Sequence, residues 1–150
     1  MSRFLESYNK LTKLPLGRVL LNNVVGLVAP FFGKIKPNIL MLKPSYCLVE
    51  MKDRRGVRNH IGSVNAGALC TLAELTGGMA LDATVDKSLR WIPKSMSVEY
   101  IKIAKGTLRA VSDFNAQIVR EGDVVIPVVV ENTAQEIVFK AHITFYISKR

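Results

Sequence analysis

The sequence predicts an α+β fold: one long buried helix and one antiparallel sheet, with an added helix pair in front. Three observations point there. From Ala66 to about Leu81 the chain is helix-like but apolar nearly all round, and a helix apolar on every side is buried. From Leu89 onward the chain is strand-like and broken only by turn residues. Before Lys36 it carries two helical patterns. Residues 1–35 are therefore expected to form a helical extension and residues 36–150 the sheet domain. No repeat or low-complexity linker interrupts this order.

The elements follow in turn. Phe4, Leu5, Tyr8 and Leu11 recur at helical spacing, and Ser2 can cap that helix. Pro15 suits the first turn of a second helix, reaching about Val28 and ended by Pro30. This pair is expected to pack near the sheet, although a basic amphipathic helix can instead lie on a membrane. Lys36 to Pro44 opens the sheet region. Tyr46 to Lys52 alternates, with Cys47, Val49 and Met51 on one side. Asp53 to Gly56 is a turn, and Val57 to His60 returns briefly. Beyond the central helix, strands are expected at 90–103, 107–119, 124–131 and 137–148. Gly106, Glu121-Gly-Asp123 and Asn132 to Gln135 are the turns between them. Such short connections predict a four-strand antiparallel meander. Phe139, Ala141, Ile143, Phe145 and Ile147 share one face of the last strand.

Composition narrows the function classes. The chain of 150 residues has 21 Lys plus Arg against 12 Asp plus Glu, a formal charge of +9. Such a charge favours anionic partners: nucleic acid, an anionic membrane surface or a phosphorylated small molecule. No basic stretch is interleaved with aromatics, so a nucleic-acid partner is not predicted. Cys47 and Cys70 lie in apolar runs and read as buried free thiols of a reducing compartment. No metal-ligand spacing, Ser-His-Asp arrangement or phosphate-cradling loop appears. His60 reads as a loop residue and His142 as exposed. Val19 to Phe32 is only 14 residues long and contains Asn22 and Asn23, too short and polar to span a bilayer. A cytoplasmic location is expected.

One residue breaks the pattern of the central helix. Glu74 sits mid-helix with no cation three or four residues away. An unpaired carboxylate is rarely buried without a reason. On a helical wheel Gly67, Cys70, Thr71, Gly77 and Gly78 fall on its side, and Ala68, Leu69, Leu72, Leu75 and Met79 fall opposite. Two adjacent glycines cost about 1–2 kcal/mol relative to alanine. Close approach of a ligand or backbone to the Glu74 side would offset that. The competing interpretation is that this side faces water.

Asn59, then Asn65-Ala-Gly67 six residues on, then Thr71-Leu-Ala-Glu74, resembles the hot-dog-fold acyl-CoA thioesterases of the phenylacetate-pathway type and their DUF4442 relatives. The family pattern is Asn, a spacer, His-Gly-Gly at the helix start, and an acid nine positions after the His. Both spacings hold here, but Asn65 stands for the His and Ala66 for the first Gly.

The resemblance implies a sheet curled around the helix and a homodimer, possibly a tetramer, joined by sheet edges with the active site at the seam. It makes Glu74 the general base or nucleophile on the thioester of an acyl-CoA. Asn59 would orient water or substrate, and Asn65 would cap the helix or bond the ligand. Ala66 and Gly67 would offer backbone donors to an oxyanion at the helix N-terminus, with Ala66 and Thr71 against the substrate. Lys52, Arg54, Arg55 and Arg58 are the densest positive charge, and Arg54, Arg55 and Arg58 suit a clamp for coenzyme A phosphates. A charge run of this kind is more usually a solvated loop. No cofactor is expected beyond coenzyme A as part of the substrate. A non-catalytic acyl-CoA or fatty-acyl binding protein is the second reading, because Asn65 cannot do acid–base work.

Overall fold

The computed structural model describes residues 3–150, so the Ser2 cap lies outside the described residues. Helices α1 (Arg3–Leu11), α2 (Gly17–Val28) and the short α3 (Pro30–Gly33) come first. Strands β1 (Asn38–Lys43) and β2 (Tyr46–Met51) precede a 3₁₀ turn (Arg55–Val57) and the central helix α4 (Ala66–Asp82). Strands β3 (Leu89–Tyr100), β4 (Leu108–Asp113), β5 (Gly122–Glu131) and β6 (Ile137–Lys149) complete the chain. All pair antiparallel in one sheet, in the order β1-β2-β4-β5-β6-β3. Helix α4 packs against every strand of that sheet. This is the α+β hot-dog arrangement.

The strand order corrects one expectation. Strands β4, β5 and β6 do form a meander, but β3 does not sit beside β4. It pairs with β6 from Leu89 opposite Lys149 to Tyr100 opposite Phe139, and so forms the edge farthest from β1. Pro93 fits that place. Proline cannot donate to a ladder and is tolerated at an edge, and the register shifts between Pro93 and Ser95. After β3, Ile101 and Lys102 both donate to the Val138 carbonyl, and Val64 donates to the Ala104 carbonyl. These bonds carry the chain past the entry to α4 before β4 begins. A second proline, Pro127, lies inside β5. The β4–β5 ladder ends at Val111 opposite Val129, two residues short of it. The Ser112 hydroxyl then donates to the Pro127 carbonyl at 2.9 Å, so this buried polar group is satisfied.

The core follows the predicted alternation. Cys47, Val49 and Met51 of β2 are buried, as are Phe139, Ala141, Ile143, Phe145 and Ile147 of β6. The 107–119 strand is shorter than expected. It stops at Asp113, where the Asn115 side chain accepts from the Gln117 N–H and opens a 3₁₀ turn. Gly77 has a different reason from the one the wheel suggested. A Cβ there would stand 3.1 Å from a Val128 methyl and 3.2 Å from Ile143 Cδ1. The glycine lets the sheet, not a ligand, approach the helix.

The N-terminal helices share this core through Leu5, Tyr8, Leu21 and Val25. Asn22 fixes α2 to β1. Its amide oxygen accepts from the Ile39 N–H at 3.0 Å and its amide nitrogen donates to Asn38 Oδ1 at 2.9 Å. Helix α2 starts at Gly17 rather than Pro15, because Leu16 takes a left-handed conformation with φ 62°. Gly17 is obligatory, since a Cβ there would lie 1.7 Å from the Leu11 carbonyl oxygen. Pro30 does not simply end α2; it begins α3 at the position where proline suits a helix. Among the described residues no helix is long and apolar enough to cross a membrane.

Candidate active site

Asn65 is the cap of α4. Its side-chain oxygen accepts the Gly67 N–H at 2.7 Å, and its own N–H donates to the Val57 carbonyl at 2.8 Å. The Gly67 donor, expected to face an oxyanion, is thus occupied. Thr71 is buried, and its hydroxyl donates to the Gly67 carbonyl at 2.8 Å, satisfied within the helix. Asn59 organises its own loop. Its amide oxygen accepts from the Ile61 and Ser63 N–H groups at 3.2 and 3.1 Å, and its nitrogen donates to Ser63 Oγ at 2.8 Å.

The arginines diverge. Arg58 Nε donates to Asp53 Oδ1 at 2.6 Å, and Asp53 Oδ2 accepts the Gly106 N–H at 2.9 Å. The bond from Arg58 holds the Asp53 carboxyl below the usual carboxylate range, and the Gly106 N–H adds to this. Arg54 donates to the Lys34 carbonyl on the other side of the loop, and Arg55 is exposed. Only Arg58 faces the groove at the N-terminus of α4. That groove, about 340 Å³, is lined by Phe31, Lys34, Arg58, Asn65, Gly67 and Thr71.

Glu74 lies elsewhere. It is half-buried and makes no hydrogen bond or ion pair among the described residues. It lines an apolar cavity of about 330 Å³ with Gly78, Met79, Trp91, Val28 and Phe32. Met79, and Leu75 with it, lines the same cavity as Glu74 rather than the opposite face expected from the wheel. Gly78 admits the Trp91 ring, which would meet an added Cβ at 3.1 Å. The Trp91 indole N–H donates to Asp82 at 3.2 Å. Reasoning from the sequence missed Trp91, Val28 and Phe32. The run Pro30-Phe-Phe-Gly33 was the available signal, an aromatic pair in a short turn back toward the central helix. Cys70 is half-buried rather than buried, with its sulfur 3.4 Å from the Tyr100 hydroxyl. That contact, first among the causes, raises the Tyr100 phenol.

The chain thus gathers Arg58, Asn65, Gly67 and Thr71 at one groove and keeps Glu74 in another cavity. Asn65 and Glu74 are nine residues apart, about 13 Å along a helix at 1.5 Å per residue. The cap and Glu74 are thus more than two helical turns apart along the axis of α4. Among the described residues no cluster of His, Cys, Asp and Glu could hold a metal ion.

Residues 17–147 match the family described as domain of unknown function DUF4442. The chain belongs to the DUF4442 family. A structural-genomics protein of known structure is 39% identical to this DUF4442 chain, with a TM-score of 0.87 over 99% of this chain and 97% of its own. A protein from Pseudomonas aeruginosa, described as a probable thioesterase of unknown function, is 25% identical, with a TM-score of 0.79 over 91% of this chain and 97% of its own. A thioesterase from Haemophilus influenzae shares the fold, with 12% identity and a TM-score of 0.76 over 86% of this chain and 88% of its own. No curated protein matches the chain. The DUF4442 chain is therefore a hot-dog protein of the thioesterase superfamily.

Proposed function

We propose that this DUF4442 protein is an acyl-CoA thioesterase whose base is Glu74 and whose site needs two copies of the chain. One observation carries the reading: a carboxylate without a cation opens onto a cavity that is apolar apart from Asp82, whose carboxylate already accepts the Trp91 indole N–H. An acyl chain fits such a lining, and a carboxylate at its wall can take a proton from water. The water oxygen then attacks the thioester carbonyl, the C–S bond breaks, and coenzyme A leaves as its thiol. The α4 N-terminus that would stabilise the oxyanion is about 13 Å away in the same chain, so it comes from a second copy. The outer edge of β3 has no strand partner among the described residues and is the edge through which two sheets would join. Arg58 at the groove and the exposed Arg55 would meet the coenzyme A phosphates.

A second reading has its own observation. The Asn65 side chain occupies the Gly67 N–H, which suits a protein that binds acyl-CoA without hydrolysing it. Steady-state hydrolysis over a panel of acyl-CoAs, with Glu74→Gln beside the unaltered protein, separates the two. The thioesterase reading expects kcat to fall at least about 10²-fold, the scale of general acid–base effects, with fold and assembly intact. Turnover that survives Glu74→Gln ends it.

A further inference from the structure

We propose that the hairpin of α2 and α3 is a docking surface for an anionic lipid bilayer. Helix α2 turns only Gly17, Leu21 and Val25 into the core. Large apolar side chains remain outside: Leu16 is 80% exposed, Leu27 78%, Val28 80% and Phe31 71%, with Leu14, Val19 and Leu20 also exposed. Leu20 and Leu27 fall within about 20° of one another on a wheel of 100° per residue, and Leu16 precedes the helix beside them. A continuous apolar patch of this kind marks a protein or membrane interface.

Charge decides between them. The chain has no Asp or Glu between Glu6 and Glu50, and that interval holds Lys10, Lys13, Arg18, Lys34, Lys36 and Lys43. Lys10, Lys13, Arg18 and Lys34 are exposed, and none forms an ion pair among the described residues. A two-fold contact would set this acid-free segment against its own copy, where like charges repel. An anionic surface attracts it instead and takes up the apolar side chains. The patch is also held in shape, because α3 folds back until Gly33 meets Gly26 and Asn22 pins α2 to β1. Val28 and Phe32 line the cavity beside Glu74 as well, so the cavity rim belongs to the same surface.

The test is co-sedimentation of the full chain with vesicles of phosphatidylcholine alone and of phosphatidylcholine mixed with phosphatidylglycerol in equal parts. The proposal expects binding to the mixed vesicles only. It expects Lys13→Glu with Arg18→Glu to weaken binding by about fivefold or more per side chain. Leu27→Asp with Phe31→Asp should abolish binding while thermal unfolding stays unchanged. Three outcomes overturn it: no binding to the mixed vesicles, equal binding to both vesicle types, or a Leu27→Asp and Phe31→Asp variant that binds as before. A fourth is a smaller assembly for that variant in analytical ultracentrifugation, which would make the patch a contact between copies of this chain.

Discussion

Asn65 Oδ1 accepts the Gly67 N–H at 2.7 Å, so the cap residue of α4 occupies one of the helix-end donors that an oxyanion would use. Two effects of one side chain can then be separated.

Asn65→Ala removes the cap, and the expected loss of stability is about 1 kcal/mol. The same change frees the Gly67 donor. For a thioesterase, kcat should hold or rise even as the unfolding midpoint in urea falls. If Asn65 instead binds substrate through its amide, kcat/KM drops with stability. Urea titration and steady-state kinetics on one preparation read both.

The divergence of the arginines gives the second prediction. Arg55→Ala and Arg58→Ala should raise KM for coenzyme A esters and leave short thioesters without coenzyme A unaffected, since remote groups act through the nucleotide. Arg54→Ala should instead act on stability, because its guanidinium ties the loop to the Lys34 carbonyl. Equal losses on both substrate types at Arg55 and Arg58 would remove the phosphate contact from the reading.

The third prediction concerns acid. The Asp53 carboxyl is held below its ordinary value of about 3.9 by Arg58 and then by the Gly106 N–H. A depressed carboxyl contributes stability that is fully present above its unfolded value and lost as pH falls through the folded one. Resistance to thermal unfolding should therefore decline below about pH 4, and Asp53→Asn should flatten part of that decline. Glu6, Asp86 and Glu136 are lowered too, by Lys87, Ser88 and Lys102 first among their causes, so part of the decline remains. An unchanged acid slope in Asp53→Asn would show that the Arg58 pair carries none of it.

Much of this fold was legible because its signals are local. The alternation in β2 and β6 and the apolar wheel of α4 are set by nearest neighbours along the chain. What escaped was long-range. Nothing near residue 93 says that β3 seeks β6 rather than β4, although Pro93 hints at an edge. The candidate site was half legible for the same reason. Spacing located Asn65 and Glu74, but the walls around Glu74 come from α2, α3 and β3, whose approach depends on Gly78 yielding room to Trp91. The wheel misassigned Gly77 because sheet and ligand ask the same thing of a glycine.

The pairing of β3 with β6 alone has a consequence for how the molecule is made. Strand β3 leaves the ribosome 38 residues, 101–138, ahead of Phe139, the first residue paired with it. Closing so long a loop is slow compared with local pairing. During that interval the strand carrying Trp91, Met96 and Val98 has no ladder on either side, and its exposed Arg90 and Lys94 are what discourage premature association. Pairing with β6 therefore fixes the edge strand and one wall of the Glu74 cavity in a single event.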